Sequence, residues 1–194
     1  MTTIHLVRHA ETDWNRELRW QGQSDVPLNA RGREQARALG ASLTGVPLAA
    51  IYSSDLRRAA ETAEIVAEQL RLPLRVDPGL REIDVGSWQG LTLTQLRVRV
   101  PEAVARWEQN GEHGWEDGES HEDMFARVVD AIRSIAAGHR NEEVLVVSHG
   151  GPIGALKTLA AGLDYPRERR LLPRSDNCET YVIAVEDGAV RRMD

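Results

Sequence analysis

The sequence predicts an α/β fold of three layers, α/β/α, in which helices cover both faces of a mostly parallel central sheet. Strand-like and helix-like segments alternate along the 194 residues, a pattern typical of parallel strands joined by right-handed crossovers. Two short apolar runs, residues 4–7 and 144–147, have the composition of strands buried on both faces. The length fits one domain. We therefore predict a single domain over residues 1–194.

The first half of the chain carries strand and helix signals in alternation. The predicted elements occupy residues 4–7, 30–43, 49–53, 56–70 and 74–76. An irregular polar stretch separates the first two. Asn29 is a favourable N-cap for the first helix, and Ser54 or Asp55 can cap the second. A turn at Asp77-Pro78-Gly79 closes this half.

The second half begins with a lid-like helical insertion at about 92–120. The predicted elements of this half are short helices at 92–99 and 101–109, a polar loop at 110–118, a helix from 120 to about 137, a strand at 144–148, a helix to 161 and a strand at 177–186. Ser120 with Asp123 resembles a capping box. Pro152 is expected near the first position of its helix, a favourable place for proline. A hairpin turn at Asp187-Gly188 then predicts an antiparallel edge, with its last strand at 189–191.

Composition restricts the class of protein. The net charge of −6 argues against a nucleic-acid binder and against a basic membrane-surface protein. Cys178 is the single cysteine, which excludes an intramolecular disulfide and favours a reducing compartment. We find neither a leader-like segment nor an apolar run near the ~18 residues of a membrane span. We therefore expect a cytoplasmic protein without nucleic-acid or membrane partners, and a homodimer stays open.

Two histidines stand where strands end. Arg8-His9 follows the first strand and Ser148-His149 follows the strand at 144–148. Ligands of open α/β sheets bind at the carboxyl ends of the strands, so both histidines would face one crevice if these strands are neighbours. The helix after His149 begins near Gly150, and its free N–H groups and positive dipole end favour an anion.

Further charged residues join this candidate site. Arg58 lies in the first turn of a helix that follows a strand and is expected to face the crevice, whereas Arg57 is expected to be solvated. Glu82, beside two arginines and two histidines, is a candidate proton donor. The spacings typical of metal sites and of a phosphate-binding loop for ATP are missing from the sequence. We therefore predict a site without a metal or another cofactor.

Four motifs together resemble those of the histidine phosphatase superfamily, whose fold is also called phosphoglycerate mutase-like. They are Leu6-Val7-Arg8-His9-Ala10-Glu11-Thr12 with Asn15, Ser53-Ser54 with Leu56, Arg58-Ala59 and Thr62-Ala63, Leu80 with Glu82, Gly86 and Gly90, and Ser148-His149-Gly150-Gly151. The resemblance covers residues 3 to 160. It departs from the usual Arg-His-Gly at Ala10, where a methyl group is tolerable if the backbone φ is negative.

The resemblance implies a role for each matching residue. His9 would be the nucleophile that forms a phosphohistidine. Arg8, Arg58 and His149 would bind the phosphoryl oxygens, with Asn15 as a neutral donor. Glu82 would protonate the leaving group. The remaining positions that the resemblance assigns to substrate binding are Gln21, Gly22 and Gly150. The partner would be a small phosphorylated metabolite, and inorganic phosphate the product.

The small, broad-specificity phosphatases are the branch that the sequence resembles most. The mutases that depend on 2,3-bisphosphoglycerate carry a basic insertion after the Glu-bearing loop, whereas residues 92–120 here hold three arginines against several acids. Phosphoglycerate mutase remains the alternative, and a non-catalytic binding protein on the same fold is a further one. Broad-specificity, α-ribazole-phosphate and glucosyl-3-phosphoglycerate phosphatases all stay open. Four tryptophans could line a substrate face or merely pack loops: Trp14, Trp20, Trp88 and Trp115.

Overall fold

The computed structural model of the protein describes residues 1–110 and 114–193. The strands are β1 (Thr2–Arg8), β2 (Leu48–Ser53), β3 (Leu74–Val76), β4 (Glu143–Ser148), β5 (Thr180–Glu186) and β6 (Ala189–Arg192). The α-helices are α1 (Asp13–Arg16), α2 (Ala30–Ser42), α3 (Arg57–Leu70), α4 (Leu93–Arg99), α5 (Pro101–Asn110), α6 (His121–Gly138) and α7 (Gly150–Ala160). Single turns of 3-10 helix lie at Pro78–Leu80 and Gly86–Trp88.

One sheet of six strands crosses the molecule in the order β3-β2-β4-β1-β5-β6. The four strands from β3 to β1 are parallel, and β5 and β6 are antiparallel to their neighbours. This confirms the predicted mixed α/β fold and its antiparallel edge. β1 and β4 lie side by side with Arg8 opposite Ser148. Arg8-His9 and Ser148-His149 therefore meet at one edge of the sheet.

Alternate residues of β4 separate two apolar layers. Val144 and Val146 belong to the core formed with α6 and α7, whereas Leu145 and Val147 pack against α2 and α3. Successive side chains of a strand point to opposite faces, so a strand covered by helices on both sides must be apolar throughout. The uninterrupted apolar run that predicted this strand therefore reflects the three-layer arrangement.

Helices α4 and α5 occupy the region that the sequence predicts to be a lid-like insertion. Leu96 and Val104 from these helices are buried with Trp88 and Trp115 in the same core as α6. The insertion is thus joined by apolar contacts to the core that α6 and α7 form with the sheet. The polar loop predicted at 110–118 lies partly outside the described residues, because 111–113 are not among them.

One predicted helix cap is wrong. The first free N–H of α3, that of Arg57, donates to Asp25 from a distant loop at 2.8 Å, whereas Asp55 pairs with Arg81. α7 begins at Gly150, which places Pro152 in the first turn, near N1 as predicted. The N–H groups of the whole first turn lack partners within their helix, so Pro loses nothing there.

The predicted start of the last long strand is also wrong. β5 begins at Thr180 rather than at residue 177, because Cys178 adopts a positive φ of 60° that interrupts an extended backbone. The short helix α1, capped by Thr12 and Asn15, lies within the stretch predicted to be irregular. Of the helices in residues 1–110 and 114–193, none combines the length and the apolar character that crossing a bilayer requires.

Candidate active site

His9 follows β1 and is held from three directions. Its peptide N–H donates to Ser148 O at 2.9 Å, and its carbonyl accepts a hydrogen bond from Asn177 Nδ2 at 2.7 Å. Its ring is 2.7 Å from Ala10 O through Nδ1 and 3.3 Å from Arg58 Nε through Nε2. Arginine only donates, so Nε2 accepts and Nδ1 carries the proton. This tautomer leaves Nε2 without a proton, and its lone pair, which here accepts from Arg58 Nε, is the potential nucleophile.

Arg58 is a buried cation whose guanidinium is fixed by backbone. The side chain is 0% exposed, and its Nη1 and Nη2 donate to Ser24 O at 2.8 Å and Gly22 O at 2.7 Å. Burial, the largest cause, lowers the pKa of Arg58 to about 10, and the neighbouring charge of Arg8 contributes to the shift. The residue stays protonated at neutral pH. A guanidinium has five N–H groups, so two remain available to an anion after these two bonds and the bond from Nε to His9.

The electrostatics of the site keep both histidines neutral. Burial is the main cause that lowers the pKa of His9 well below its ordinary value, and the charges of Arg58 and Arg8 lower it further. The pKa of His149 is lowered for the same reasons. A histidine must be unprotonated to act as a nucleophile. The arrangement therefore presents a neutral imidazole beside two permanent cations.

His149 lies next to His9 at the N-terminus of α7. The ring centroids are 5.2 Å apart, and His149 is the N-cap of the helix. Both of its ring nitrogens are buried without a hydrogen-bond partner among the described residues, and the same is true of Arg8 Nε. Buried polar atoms normally have partners. Together with the positive end of α7 at Gly150, these atoms form an arrangement that an anion would satisfy.

Glu82 reaches the same place from the loop after Pro78–Leu80. Its carboxylate accepts hydrogen bonds from Gly151 N at 3.0 Å and from Ile83 N at 3.0 Å. A side chain at Gly151 would collide with this carboxylate, which explains the second glycine of the motif. Burial by the surrounding protein is the largest cause that raises the pKa of Glu82, against the opposing charges of Arg58 and Arg8. A raised pKa favours the protonated form that can donate a proton.

The predicted binding residues of the 11–28 loop also face this cleft. Asn15 Oδ1 accepts hydrogen bonds from the backbone N–H and the hydroxyl of Thr12, both at 3.0 Å, which leaves its amide nitrogen as a donor. Gln21 lines the cleft and accepts a hydrogen bond from the Thr12 hydroxyl at 3.1 Å. Gly22 has φ of +50° and gives its carbonyl to Arg58. Its contribution is thus to position the arginine.

Ala10 replaces the usual glycine without strain. It is not among the described residues with positive φ. Its methyl group is buried with Leu28 and Ala36, and its N–H donates to Thr62 Oγ1 at 3.0 Å. The expectation that a methyl group is tolerated here is confirmed.

A cleft of about 920 Å³ opens in front of these residues. Its walls include the aromatic side chains of Trp14, Trp20 and Trp115. Trp88 is 2% exposed and packs edge-on to Trp20, with ring centroids 5.3 Å apart, so it supports the wall from behind. The sequence-based prediction overlooked Trp107, which also lines the cleft. The tryptophans therefore both line the cleft and pack the loops.

Sequence reasoning missed the segment that covers the Arg8-His9 strand end. Besides the Asn177 bond to His9 O, Ser175 O accepts from Arg8 Nη1 at 2.8 Å, and Cys178 N donates to Arg8 O at 2.9 Å. We call residues 173–178 the strap. It reaches the site because β5 runs antiparallel to β1, so the residues before β5 lie at the carboxyl end of β1. Antiparallel pairing of β5 with β1 is the signal that would have predicted it.

Lys157, the only lysine of the chain, fastens the strap to α7. Its side chain is buried, and Nζ donates to Pro173 O at 3.1 Å and to Ser175 Oγ at 3.4 Å. The ammonium also lies 5.2 Å from the centroid of the Tyr181 ring, which is a cation–π distance. Lys157 thus connects the helix that starts at the anion site with the residue that orients Arg8.

The comparison with protein families agrees with this geometry. The family model of the histidine phosphatase superfamily, branch 1, matches residues 4–193. The chain belongs to the histidine phosphatase superfamily. Its members include proteins named as phosphatases and proteins named as mutases, and both kinds occur among the relatives of this chain.

Two curated relatives of this chain illustrate that division. A protein of Bacillus subtilis strain 168 named as the uncharacterized phosphatase PhoE is 35% identical over 164 residues, which is 84% of this chain and 80% of that protein. A probable phosphoglycerate mutase, GpmB, of Salmonella arizonae is 38% identical over 180 residues, or 92% of this chain and 82% of that protein. Sequence similarity alone therefore does not separate the two activities.

Solved structures share the whole fold. Bacillus stearothermophilus YhfR matches with a TM-score of 0.91 at 36% identity and covers 99% of this chain and 95% of its own. A mycobacterial glucosyl-3-phosphoglycerate phosphatase, solved in complex with VO3, matches with a TM-score of 0.87 at 32% identity, covering 97% and 95%. Both likenesses extend over nearly the entire length of this chain.

Lys157→Met should weaken catalysis by releasing the strap. Methionine keeps the apolar stem but donates no hydrogen bond to Pro173 or Ser175, so the acceptor that orients Arg8 becomes mobile. We expect kcat/KM for p-nitrophenyl phosphate to fall about 10- to 100-fold, as for other small misplacements of a binding group. Steady-state kinetics measure this fall, and Lys157→Arg, which retains a cation, should restore part of it. A Lys157→Met protein that loses thermal stability but keeps kcat/KM would limit the lysine to a structural role.

Proposed function

We propose that this protein is a metal-independent phosphatase that hydrolyses small phosphomonoesters through a phosphohistidine on His9. The observation that carries the proposal is the His9–Arg58 contact, which holds a neutral imidazole in the tautomer with an unprotonated Nε2 beside the cationic cleft. Nucleophilic attack on a phosphorus atom requires such a lone pair, and the phosphoryl charge requires such cations.

In the first half-reaction, His9 Nε2 attacks the phosphorus atom while the bond from phosphorus to the ester oxygen breaks. Arg8, Arg58 and His149 bind the three non-bridging oxygens, and Asn15 and the Gly150 N–H add donors. Glu82, whose pKa is raised chiefly by burial, transfers a proton from its protonated form to the leaving oxygen. The alcohol departs, and a phosphohistidine and a glutamate anion remain.

In the second half-reaction, water replaces the alcohol. The Glu82 carboxylate takes a proton from the attacking water, the phosphorus–nitrogen bond breaks, and inorganic phosphate leaves with His9 neutral again. The arginine pair supplies the charge stabilisation that a magnesium ion supplies in many phosphoryl transfers. We therefore propose that no metal ion takes part.

A mutase activity is the second candidate, favoured by the similarity to GpmB. A mutase must retain its phosphoryl donor while the acceptor reorients, and so must exclude water from the phosphohistidine. The cleft here is wide and lined by the aromatic side chains of Trp20 and Trp107. We favour the phosphatase because this opening admits water.

A phosphohistidine should be trapped on His9. We expect wild-type protein, mixed briefly with a phosphorylated substrate in excess EDTA and quenched without acid, to carry an acid-labile phosphoryl group detectable by mass spectrometry. His9→Ala should carry none and should not turn over. His5→Gln, which changes a histidine of the same strand that is hydrogen-bonded to Glu143, should remain labelled. Label on another residue, or turnover that requires a divalent ion, would contradict the proposal.

Glu82→Gln should slow hydrolysis most for poor leaving groups. A sugar phosphate expels an alkoxide that needs a proton, so we expect the rate of its hydrolysis to fall ~10²–10⁴-fold. p-Nitrophenolate leaves without a proton, so the fall in rate for p-nitrophenyl phosphate should be clearly smaller. The raised pKa of Glu82 adds a second expectation: wild-type kcat/KM falls as the pH rises through that pKa, because the acid is lost. Glu82→Gln should lack this alkaline limb.

Burst kinetics complete the Glu82 comparison, because Glu82 also acts as the base for the second half-reaction and its loss could limit both substrates there. The burst rate isolates transfer of the phosphoryl group to His9. Equal burst defects for the two substrates would remove Glu82 as the acid. Full activity of Glu82→Gln would mean that Glu82 has a structural role only.

Phosphate release should exceed mutase turnover. Offered 3-phosphoglycerate with catalytic 2,3-bisphosphoglycerate, the protein should release inorganic phosphate faster than it interconverts the 2- and 3-isomers, because water has access to the phosphohistidine. Phosphorus NMR follows both products in one sample. Interconversion much faster than release would instead favour the mutase.

A further inference from the structure

The loop that carries Glu82 has little regular structure of its own. Residues 81–85 lie between the two 3-10 turns and are assigned to neither helix nor strand. The bonds from Gly151 N and Ile83 N join the Glu82 carboxylate to α7 and to its own loop, and they leave the position of the loop backbone to other contacts. A proton donor must stay within hydrogen-bond reach of the leaving oxygen, so these other contacts matter for the reaction.

Arg127, on α6, binds the backbone of this loop at three carbonyl groups. Its Nη1 donates to Gly79 O at 2.9 Å and to Arg81 O at 3.0 Å, and its Nη2 donates to Glu82 O at 3.4 Å. Gln23 Nε2 donates to the Glu82 carbonyl as well, at 3.2 Å. Three carbonyls of one short loop are thus turned toward a single guanidinium.

Glu119 accepts the remaining hydrogen bonds of Arg127. Arg127 Nε donates to Glu119 Oε1 at 2.9 Å, and Nη2 donates to Oε2 at 2.7 Å. A guanidinium carries five N–H groups in a planar fork, and the two carboxylate oxygens with the three carbonyls supply an acceptor for each. The two side chains are 25% and 16% exposed, so the pair is partly shielded from water. This set of acceptors fits the fork of arginine and does not fit the single ammonium of lysine.

Glu119 also fixes the far end of the loop. Its peptide N–H donates to Asp84 O at 2.9 Å, and its Oε2 accepts from Asp84 N at 3.4 Å. Its own carbonyl accepts from the indole N–H of Trp115 at 2.9 Å. The loop from 79 to 84 is therefore held at its start by Arg127 and at its end by Glu119.

Arg127 and Glu119 act at a distance from the reacting groups. Neither is among the described residues that line the cleft. Burial is the largest cause that lowers the pKa of His149, and the charge of Arg127 contributes least to that shift. The contacts of Arg127 with the loop are thus its main connection to the site.

We propose that Arg127 is a positioning residue for the proton donor: paired with Glu119, it holds the loop so that Glu82 reaches the leaving oxygen. The inference rests on the proposed phosphatase function and deepens it, because it names the residues that make Glu82 effective. A small displacement of the loop would lengthen the path of the proton and slow its transfer.

Arg127→Met should slow hydrolysis most where the leaving group needs a proton. Methionine keeps an apolar stem but donates no hydrogen bond to the three carbonyls. Phenyl phosphate and p-nitrophenyl phosphate share a ring, but phenolate leaves less readily than p-nitrophenolate. We expect kcat/KM, which reports the steps up to departure of the phenol, to fall about 10-fold for phenyl phosphate and about 3-fold or less for p-nitrophenyl phosphate.

Arg133→Met is the matched control. It removes another arginine of α6, one that donates to Gly188 O at 3.0 Å and does not contact the Glu82 loop. It should leave kcat/KM unchanged for both esters. Equal falls for the two esters in Arg127→Met, or the same falls in Arg133→Met, would overturn the positioning role.

A double-mutant cycle separates positioning from general stability. In Glu82→Gln, which cannot supply the proton, Arg127→Met should change kcat/KM for phenyl phosphate less than about 2-fold, because the effect of Arg127 passes through Glu82. Equal falls in the wild-type and Glu82→Gln backgrounds would overturn the positioning role and leave the phosphatase proposal in place. A wild-type protein that hydrolyses neither ester would overturn both.

Glu119→Gln provides the same test if Arg127→Met does not fold. The amide keeps the size of the side chain, but it removes the charge and turns an N–H group toward the guanidinium, so Arg127 is no longer held in one orientation. We expect a smaller fall for phenyl phosphate, about 3- to 5-fold, that is again absent in Glu82→Gln. Arg127→Lys keeps the charge without the fork and should resemble Arg127→Met. Full activity of Arg127→Lys and Glu119→Gln would overturn the positioning role.

Discussion

The contact between Arg58 and His9 is the interaction on which the rest of the site depends. A guanidinium with no exposed surface is costly to bury unless its N–H groups are satisfied. Here two backbone carbonyls and one imidazole nitrogen satisfy three of them. The same contact decides the tautomer of His9 and, with burial and Arg8, keeps that ring neutral. Stability and reactivity therefore rest on one pair of side chains.

Several separate segments of the chain supply the groups that stabilise the buried Arg58–His9 contact. The loop before α2 provides the carbonyls of Gly22 and Ser24, β1 delivers His9, and α3 delivers Arg58. Gly22 needs its positive φ so that its carbonyl faces the guanidinium, and a side chain there would meet Val85 at 2.7 Å. The loop between β1 and α2 is thus as much a part of the site as the two strand ends.

The opposite side of the site is closed by the strap. Arg8 is oriented by Ser175 O, His9 by Asn177, and the strap itself by the buried ammonium of Lys157. Lys157 belongs to α7, whose N-terminus also holds Glu82 through Gly151. One helix therefore supports both the residue proposed to bind phosphate and the residue proposed to donate the proton. Because both residues are attached to α7, Glu82 and Arg8 are held at a fixed separation.

The sequence by itself determined the fold class, the order of the elements and the strand-end histidines, because these follow from local periodicity and from residue types at strand ends. It also predicted Asn29 and Ser120 as caps, which bond to Gly32 N and Asp123 N. What it missed depended on partners far along the chain. Asp25 caps α3, and Ser175 and Asn177 reach Arg8-His9, because β5 pairs antiparallel with β1. The raised pKa of Glu82 and the clustering of arginines along the cleft likewise arise only from burial and proximity in the folded chain. No single stretch of sequence encodes them.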